Sequence, residues 1–287
     1  MEKICIDDVK IGREISESGP SGIFSKSRVE NKDRDFISEA VKLVCPRYID
    51  ILASNGLSLE DKVLNSHSFD NLSEIVVPSM AVYDSRDNYM GYVMKCVDGG
   101  TYGQYCCDRF FYVPKVACNL SIYFNEFKAL ESIVMRDKSI VFADLLDKYN
   151  IMYDGESFRF IDYDGIQCNG YLSDLYVLNR DKYVGTKYVN NDCFTKDFDI
   201  KQLFSLYFNV VFGYDLSMVD YSNDVSHFID SDLSRIGLDS DRVKDYVLKL
   251  YSNCDNGLLS DILSEISDNY ELCIDNDSKR YAKRKVK

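Results

Sequence analysis

Two aspartates and an asparagine in the second half of the chain form the group of side chains with the clearest capacity for chemistry. Asp144 and Asn150 lie in one polar loop, and Asp162 follows the apolar run 158–161. Carboxylate and carboxamide oxygens are the donors that a hard cation such as Mg²⁺ prefers. The pattern therefore predicts a cation site, although a β-hairpin with acidic turns would fit the same residues. Asp164 is either a further ligand or the N-cap of the following turn.

A glycine turn and a lysine in the first half of the chain have the chemistry to bind phosphate. Gly19 and Gly22 lie in a turn between two predicted strands, and glycine allows backbone N–H groups to approach phosphate oxygens closely. An ordinary hairpin turn would leave the same pattern. Lys42 follows in an apolar segment, and Glu60 lies in the first turn of a helix that Ser58 is expected to cap.

The order and spacing of these residues resemble the protein-kinase-like superfamily. The run Phe-Arg-Phe-Ile-Asp-Tyr-Asp-Gly-Ile-Gln at 158–167 is particularly similar to divergent bacterial and phage members, and the resemblance extends over about 9–215. It implies an α+β, bilobal protein-kinase-like fold. The small β-rich N-lobe would cover 1–95 and the larger helical C-lobe 96–275, followed by a basic tail at 276–287.

The resemblance also implies an ATP-dependent phosphotransferase that uses Mg²⁺ (or Mn²⁺), and it gives each residue a role. Asp144 would be catalytic and position the acceptor hydroxyl. Lys42, held by Glu60, would anchor the phosphates, and Asn150 and Asp162 would bind the metal. The remaining nucleotide-binding residues would be Gly19, Gly22 and Met94.

The acceptor that the resemblance favours is a Ser or Thr hydroxyl of a protein, which would make the chain an atypical protein kinase. Several positions depart from the family pattern: Phe142 and Ala143 replace the usual His-Arg, Glu17 replaces the first glycine, and no Ala-Pro-Glu follows the site. These departures leave open a pseudokinase that senses nucleotide or acts as a scaffold. A small-molecule kinase of the same fold is a third possibility.

Hydrophobic periodicity predicts the elements that must position these residues. Predicted strands cover 9–15, 23–29, 74–83 and 89–94, and predicted helices begin at 58, 119 and 199. The segment 36–45 fits a strand or a short helix, and Pro46 limits the helical interpretation. Asp199 is either a helix N-cap or the family aspartate that bonds the catalytic-loop backbone.

Composition excludes several classes of function. A net charge of −13 argues against general nucleic-acid binding and against docking on an anionic membrane. Ten scattered cysteines and two histidines suit neither a disulfide framework nor a zinc cluster, and indicate free thiols in a reducing compartment. No stretch approaches 18 uninterrupted apolar residues. We therefore expect a cytoplasmic protein with a packed core, whose partner is a protein or small-molecule acceptor.

Overall fold

The fold is α+β, as the sequence predicts. The computed structural model describes residues 1–18, 21–26, 39–66, 72–97, 99–104, 116–153, 156–212 and 258–261. Two compact units divide the chain. The first unit contains 1–102, 139–144 and 149–194, and the second contains 103–138, 145–148 and 195–287.

A six-stranded sheet dominates the first unit. Its strands are β1 (Glu2–Cys5), β2 (Ile11–Ser18), β3 (Ser21–Lys26), β4 (Glu39–Val44), β5 (Pro78–Tyr83) and β6 (Tyr89–Lys95). Their order is β1-β5-β6-β4-β3-β2, with β1 parallel to β5 and the other neighbours antiparallel. The segment 36–45, left open by the sequence, thus contributes a central strand.

The two faces of this sheet have different chemistry because alternate residues point to opposite sides. One face carries a buried apolar cluster of Val9, Val41, Val82 and Val93. The other face carries Lys42, which is paired with Tyr92 across β4 and β6. A bulge in β6 lets Tyr83 pair with Tyr89 while Val82 pairs with Gly91. The extra residue brings Tyr89 onto the same face as Tyr92.

Two helices follow β4. Helix α1 (Pro46–Ser54) begins at Pro46, because proline is tolerated in the first helical turn, where its missing N–H has no intrahelical partner. The residues before it form the strand β4 and not a helix, as Pro46 indicated. Helix α2 (Leu59–Leu64) begins as predicted, with the Ser58 hydroxyl accepting from the Asp61 N–H at 3.2 Å.

A second, three-stranded sheet in the first unit carries the acid-rich segment. Its strands are β7 (Gly100–Thr101), β8 (Ile151–Tyr153) and β9 (Phe158–Phe160). The Phe160 N–H donates to the Glu74 carbonyl at 2.8 Å, and the Val76 N–H donates to the Phe160 carbonyl at 2.8 Å. Segment 167–198 contains the short helices α4 (Asp174–Leu178) and α5 (Arg180–Tyr183) and the hairpin β10 (Val189–Asn190) and β11 (Cys193–Phe194).

Two long helices form the described core of the second unit. They are α3 (Val116–Arg136) and α6 (Lys196–Phe212), which cover the helices predicted from 119 and 199. Phe127 packs edge-on against Tyr207, with ring centroids 5.1 Å apart. Asp199 lies inside the first turn of α6, fully buried, and accepts from Lys196 at 2.8 Å. In the described part of the chain, no helix combines the length and apolar character needed to cross a bilayer.

The compact units are not the contiguous segments 1–95 and 96–275 that the sequence predicts. Residues 139–144 and 149–194 group with the N-terminal strands. The backbone bonds of Phe160 to Glu74 and Val76 supply part of the physical reason. The basic tail 276–287 and Gly19 lie outside the described residues.

We predict that Gly91→Ala destabilises the first unit strongly. Gly91 has φ 147°, and a Cβ there would lie 2.0 Å from the Lys42 carbonyl oxygen of the adjacent strand. The change should lower the free energy of unfolding by at least about 3 kcal/mol, measured by urea denaturation.

Gly56→Ala is the matched control, since Gly56 also has a positive φ of 90° but a Cβ there would meet nothing within 4 Å. It should cost only the backbone strain, about 1 kcal/mol. Equal losses for both variants would contradict the strand contact assigned to Gly91.

Candidate functional site

The side chain of Lys42 lies between the carboxylates of Asp162 and Asp164. Both belong to the segment 162–165 that follows β9, which we call the acid-rich turn. The Lys42 ammonium contacts Asp162 Oδ1 and lies 2.9 Å from Asp164 Oδ2. Burial alone would lower the pKa of Lys42, but the charges of Asp162 and Asp164 outweigh burial and hold that pKa well above its ordinary value. Lys42 therefore remains a cation at every physiological pH.

The amide of Asn150 joins the other two predicted site residues. Its Nδ2 donates to Asp144 Oδ2 at 2.9 Å and to Asp162 Oδ2 at 3.3 Å. The Ile161 N–H also donates to the Asn150 carbonyl at 3.0 Å, which fixes the loop beside the turn. The structure thus brings Asp144, Asn150 and Asp162 together, although they are spread over 19 positions of sequence.

A strained turn aims Asp144 into this group. Ala143 has φ 57°, and the Asp144 N–H donates to the Phe142 carbonyl at 2.6 Å, forming a γ-turn. Phe142 itself is buried against Phe160, with ring centroids 4.3 Å apart. A non-glycine residue at positive φ costs about 1–3 kcal/mol, and such strain collects at functional sites. Phe142 and Ala143 therefore serve packing and backbone geometry.

A glycine gives Asp144 the room to approach the acid-rich turn. A Cβ at Gly165 would lie 3.2 Å from the Asp144 Cβ and 3.6 Å from Asp162 Oδ2. Two backbone hydrogen bonds between Val141 and Gln167, of 3.0 and 2.7 Å, hold the ends of the loop and the turn together. Because residue 165 is a glycine, no side chain at that position occupies the space beside Asp144 and Asp162.

Asp164 is neither the helix cap nor a solvent-facing carboxylate. Its backbone carbonyl accepts from Lys62 Nζ at 2.7 Å, and the same ammonium donates to the Leu172 carbonyl at 3.0 Å. Lys62 is fully buried in α2, and burial lowers its pKa. Asp164 is thus fixed by two lysines, through its side chain by Lys42 and through its backbone by Lys62.

A fourth carboxylate, Asp174, adds negative charge at the start of α4. The Tyr48 hydroxyl donates to Asp174 Oδ2 at 2.7 Å. Burial of the carboxyl, followed by the charges of Asp162 and Asp164, raises the pKa of Asp174 to about 6. Burial also raises the pKa of Tyr48, and Asp174 adds to that increase. Tyr48 therefore remains a hydrogen-bond donor to Asp174.

Three buried oxygens beside Lys42 have no hydrogen-bond partner among the described residues. They are Asp164 Oδ1 and the hydroxyls of Tyr89 and Tyr92. Burial raises the pKa of both phenols, and Asp164 is the charge that raises each of them further. An unpaired buried polar atom costs about 1–3 kcal/mol, so the fold places Asp164 here at the expense of stability.

The expected ion pair between Lys42 and Glu60 is wrong for this structure. Glu60 Oε1 accepts from the Tyr83 hydroxyl at 2.7 Å and lies 3.8 Å from Lys3 Nζ. Its position in α2 turns it away from the face that carries Lys62, which lies two residues further along. Lys62 and Glu60 are therefore on different sides of one helix, and it is Lys62 that faces the acid-rich turn.

Two other predicted nucleotide-binding residues lie in the main sheet. Met94 is a buried residue of β6 that pairs with Ala40. Gly22 lies in β3, paired with Leu43. It borders a cleft of about 570 Å³, a volume typical of small-molecule sites. The cleft is lined by Glu14, Ser21, Gly22, Phe24, Leu43, Val44, Cys45, Arg47, Tyr48 and Ile51.

Lys62, Asp174 and Tyr48 also belong to this cluster, although their place in it is not predicted from the sequence. Lys62 had a detectable signal, because Leu59 and Val63 share its helical face and both are buried. A lysine on the apolar face of a short helix requires a polar partner. Asp174 follows Ser173 at the start of a helix, where an acidic residue is ordinary, so the sequence held no sign of its partner.

The side chains of Asp144, Asn150 and Asp162 suit a Mg²⁺ ion because they carry carboxylate and carboxamide oxygens. The Asp144 and Asp162 carboxylates meet at the Asn150 side-chain amide, whose Nδ2 donates to both of them. Carboxylate and carboxamide oxygens are the hard donors that Mg²⁺ prefers. Among the described residues, no three His, Cys, Asp or Glu side chains form a metal-binding group by themselves. Such a group is not required, since Mg²⁺ is usually held by one or two carboxylates together with substrate phosphates.

We predict that the pKa of Asp174 makes stability fall as the pH rises from about 4 to about 6. Its folded-state pKa of about 6 exceeds the ordinary 3.8, so the folded protein binds a proton in this range that the unfolded chain has released. Asp174→Asn removes this penalty. The stability of the variant relative to wild type should rise by about 2 kcal/mol between pH 4 and pH 7, measured by urea denaturation.

Asp181→Asn, at an exposed residue of α5, is the control and should track the wild-type curve. Parallel wild-type and Asp174→Asn curves from pH 4 to pH 7 would contradict the buried, charge-crowded position of Asp174.

Comparison of the sequence with known proteins found no match. No protein-family model matches the sequence, and no curated protein matches it. The contacts among Lys42, Asp144, Asn150, Asp162 and Asp164 are therefore the basis on which a function has to be argued.

Proposed function

We propose that this protein is an atypical protein kinase, which transfers the γ-phosphoryl group of ATP to a Ser or Thr hydroxyl with the help of Mg²⁺. The observation that carries the proposal is the convergence of Lys42, Asp162 and Asn150 with Asp144. A lysine, an aspartate and an asparagine for metal-bound phosphates, and a further aspartate for the acceptor, are the working parts of a kinase site.

Each side chain has a task that suits its chemistry. Asp162 and Asn150 would hold Mg²⁺ through their side-chain oxygens, and the ion would supply positive charge to the phosphates of ATP. Lys42 contributes its ammonium to phosphate oxygens in exchange for its contact with Asp162. Asp144 accepts a hydrogen bond from the acceptor hydroxyl, orients its oxygen toward the γ-phosphorus and takes its proton as the new P–O bond forms and the bond to the leaving ADP oxygen breaks. Catalysis is positioning and electrostatics.

The sheet and the helices are compatible with the bilobal kinase-like fold that we propose. The glycine-bearing hairpin β2–β3 precedes the strand with Lys42, and the helix α2 follows, as in the kinase order of a glycine loop, a lysine strand and a helix. The cleft beside Gly22 reaches Tyr48, whose hydroxyl donates to Asp174.

The first test is a thermal-shift titration with ATP, with and without Mg²⁺. We expect stabilisation that depends on Mg²⁺, about 2.7 kcal/mol at a ligand concentration one hundred times Kd. Asp162→Ala should lose most of this shift because it removes a metal ligand. Asp61→Ala, which deletes an exposed aspartate of α2, is the charge-matched control and should retain it.

A Mg²⁺-dependent shift that is equal in wild type and Asp162→Ala would contradict the proposed metal site. No shift in wild type at millimolar ATP and Mg²⁺ would contradict nucleotide binding at this site altogether.

The second test is phosphoryl transfer from labelled ATP to protein acceptors, including the chain itself. Asp144→Asn should lower kcat by about 10²–10⁴-fold, the usual contribution of a general base, and leave ATP binding in place. Nucleotide binding without transfer to any acceptor would instead favour a nucleotide-sensing pseudokinase. Transfer to amines, sugars or alcohols but not to proteins would favour a small-molecule kinase.

A further inference from the structure

Lys42 is held by a residue other than the helix glutamate. Asp164 Oδ2 lies 2.9 Å from Lys42 Nζ, and the two side chains are 3% and 7% exposed. Glu60 instead binds the Tyr83 hydroxyl at 2.7 Å and lies near Lys3. The carboxylate that stays with Lys42 thus comes from the acid-rich turn, two residues beyond the proposed metal ligand Asp162.

The two carboxylates that contact Lys42 differ in exposure. The Asp162 side chain is 20% exposed and also accepts from Asn150, whereas the Asp164 side chain is 3% exposed. A partly exposed carboxylate can exchange one cation for another, and a buried one cannot do so without leaving a charge unpaired. Exposure therefore separates a ligand-exchanging carboxylate, Asp162, from a fixed one, Asp164.

Asp164 is itself immobilised by the helix that carries Glu60. Lys62 donates to the Asp164 carbonyl at 2.7 Å and to the Leu172 carbonyl at 3.0 Å, and it is fully buried. These bonds tie α2 to both ends of the segment 164–172. Helix α2 consequently acts on Lys42 through the backbone of Asp164, with Lys62 as its contact residue.

We propose that Asp164 is the positioning residue for Lys42 and that Lys62 fixes Asp164, so that this pair replaces the lysine–glutamate pair of protein kinases. The catalytic meaning of this assignment rests on the proposed function. When the Asp162 contact is exchanged for phosphate and metal, Asp164 keeps the ammonium of Lys42 in place. Asp164 Oδ1 has no hydrogen-bond partner among the described residues, so a carboxylate held at this point lowers the stability of the fold.

The test compares chemical access to Lys42 in the protein without nucleotide. An amine-acylating reagent would label the lysines, and mass spectrometry would give the labelling rate of Lys42 in wild type and in Asp164→Asn, Lys62→Met and Glu60→Gln. We expect at least tenfold faster labelling of Lys42 in Asp164→Asn and severalfold faster labelling in Lys62→Met. Glu60→Gln should label at the wild-type rate.

A double-variant cycle keeps the proposal testable if a single variant is unstable. Unfolding midpoints in urea would be compared for Lys42→Met, each partner variant and each combination. We expect the double variant Lys42→Met/Asp164→Asn to lower the unfolding midpoint by less than the sum of the decreases in the two single variants. In Lys42→Met/Glu60→Gln, the two decreases should simply add. Coupling of Lys42 to Glu60, or additivity with Asp164, would overturn the proposal.

Neither measurement uses ATP, so this assignment and the kinase function can fail separately. For a functional readout, Asp164→Asn should raise the KM for MgATP at least tenfold while kcat changes less, because the phosphate anchor is misplaced rather than lost. Lys62→Arg should recover part of the MgATP affinity that Lys62→Met loses, because arginine keeps the positive charge at this position. A fall in kcat with an unchanged KM in Asp164→Asn would overturn the positioning role.

Discussion

The ammonium of Lys42 lies buried between the carboxylates of Asp162 and Asp164, and the geometry of the site follows from that contact. Without the ammonium, the two carboxylates would repel each other, since like charges that are close together in a protein interior interact strongly. The ammonium, in turn, would be costly to bury without them. Each group is stable only in the presence of the others, so strand β4 and the acid-rich turn have to come together as one structure.

The sheet supplies the rigid half of this arrangement. Lys42 lies on a central strand, and the close approach of Gly91 to its carbonyl leaves β4 and β6 little freedom to shift. The opposite face is filled by the cluster of Val9, Val41, Val82 and Val93. A one-residue shift in register would move Lys42 into that cluster and a valine toward the carboxylates. The apolar face of the sheet thus fixes the position of the charged face.

The sequence predicted the secondary-structure elements better than it predicted the partners of the charged side chains. Alternation of apolar residues and the Ser58 cap were sufficient for β5, β6 and α2 because these signals are local. Asp144, Asn150 and Asp162 could be singled out because their residue types and spacing carry chemical information.

The partners of Lys42 and Lys62 could not be predicted in the same way. Which carboxylate meets Lys42 depends on how α2 is rotated against the sheet, and that rotation is set by the burial of Leu59, Lys62 and Val63. Lys62 lies on the buried face of α2 with Leu59 and Val63, but no local pattern in the sequence identifies the Asp164 carbonyl, 102 positions away, as its acceptor. Long-range pairs of this kind depend on packing rather than on local pattern.

The most direct test of the account is a crystal structure with Mn²⁺ and a non-hydrolysable ATP analogue, with data collected at the manganese absorption edge. We predict an anomalous peak bound by Asp162 and Asn150, phosphate oxygens against Lys42, and an unbroken contact between Lys42 and Asp164. An anomalous peak elsewhere, or nucleotide bound away from Lys42, would contradict the assignment of this cluster as the phosphoryl-transfer site.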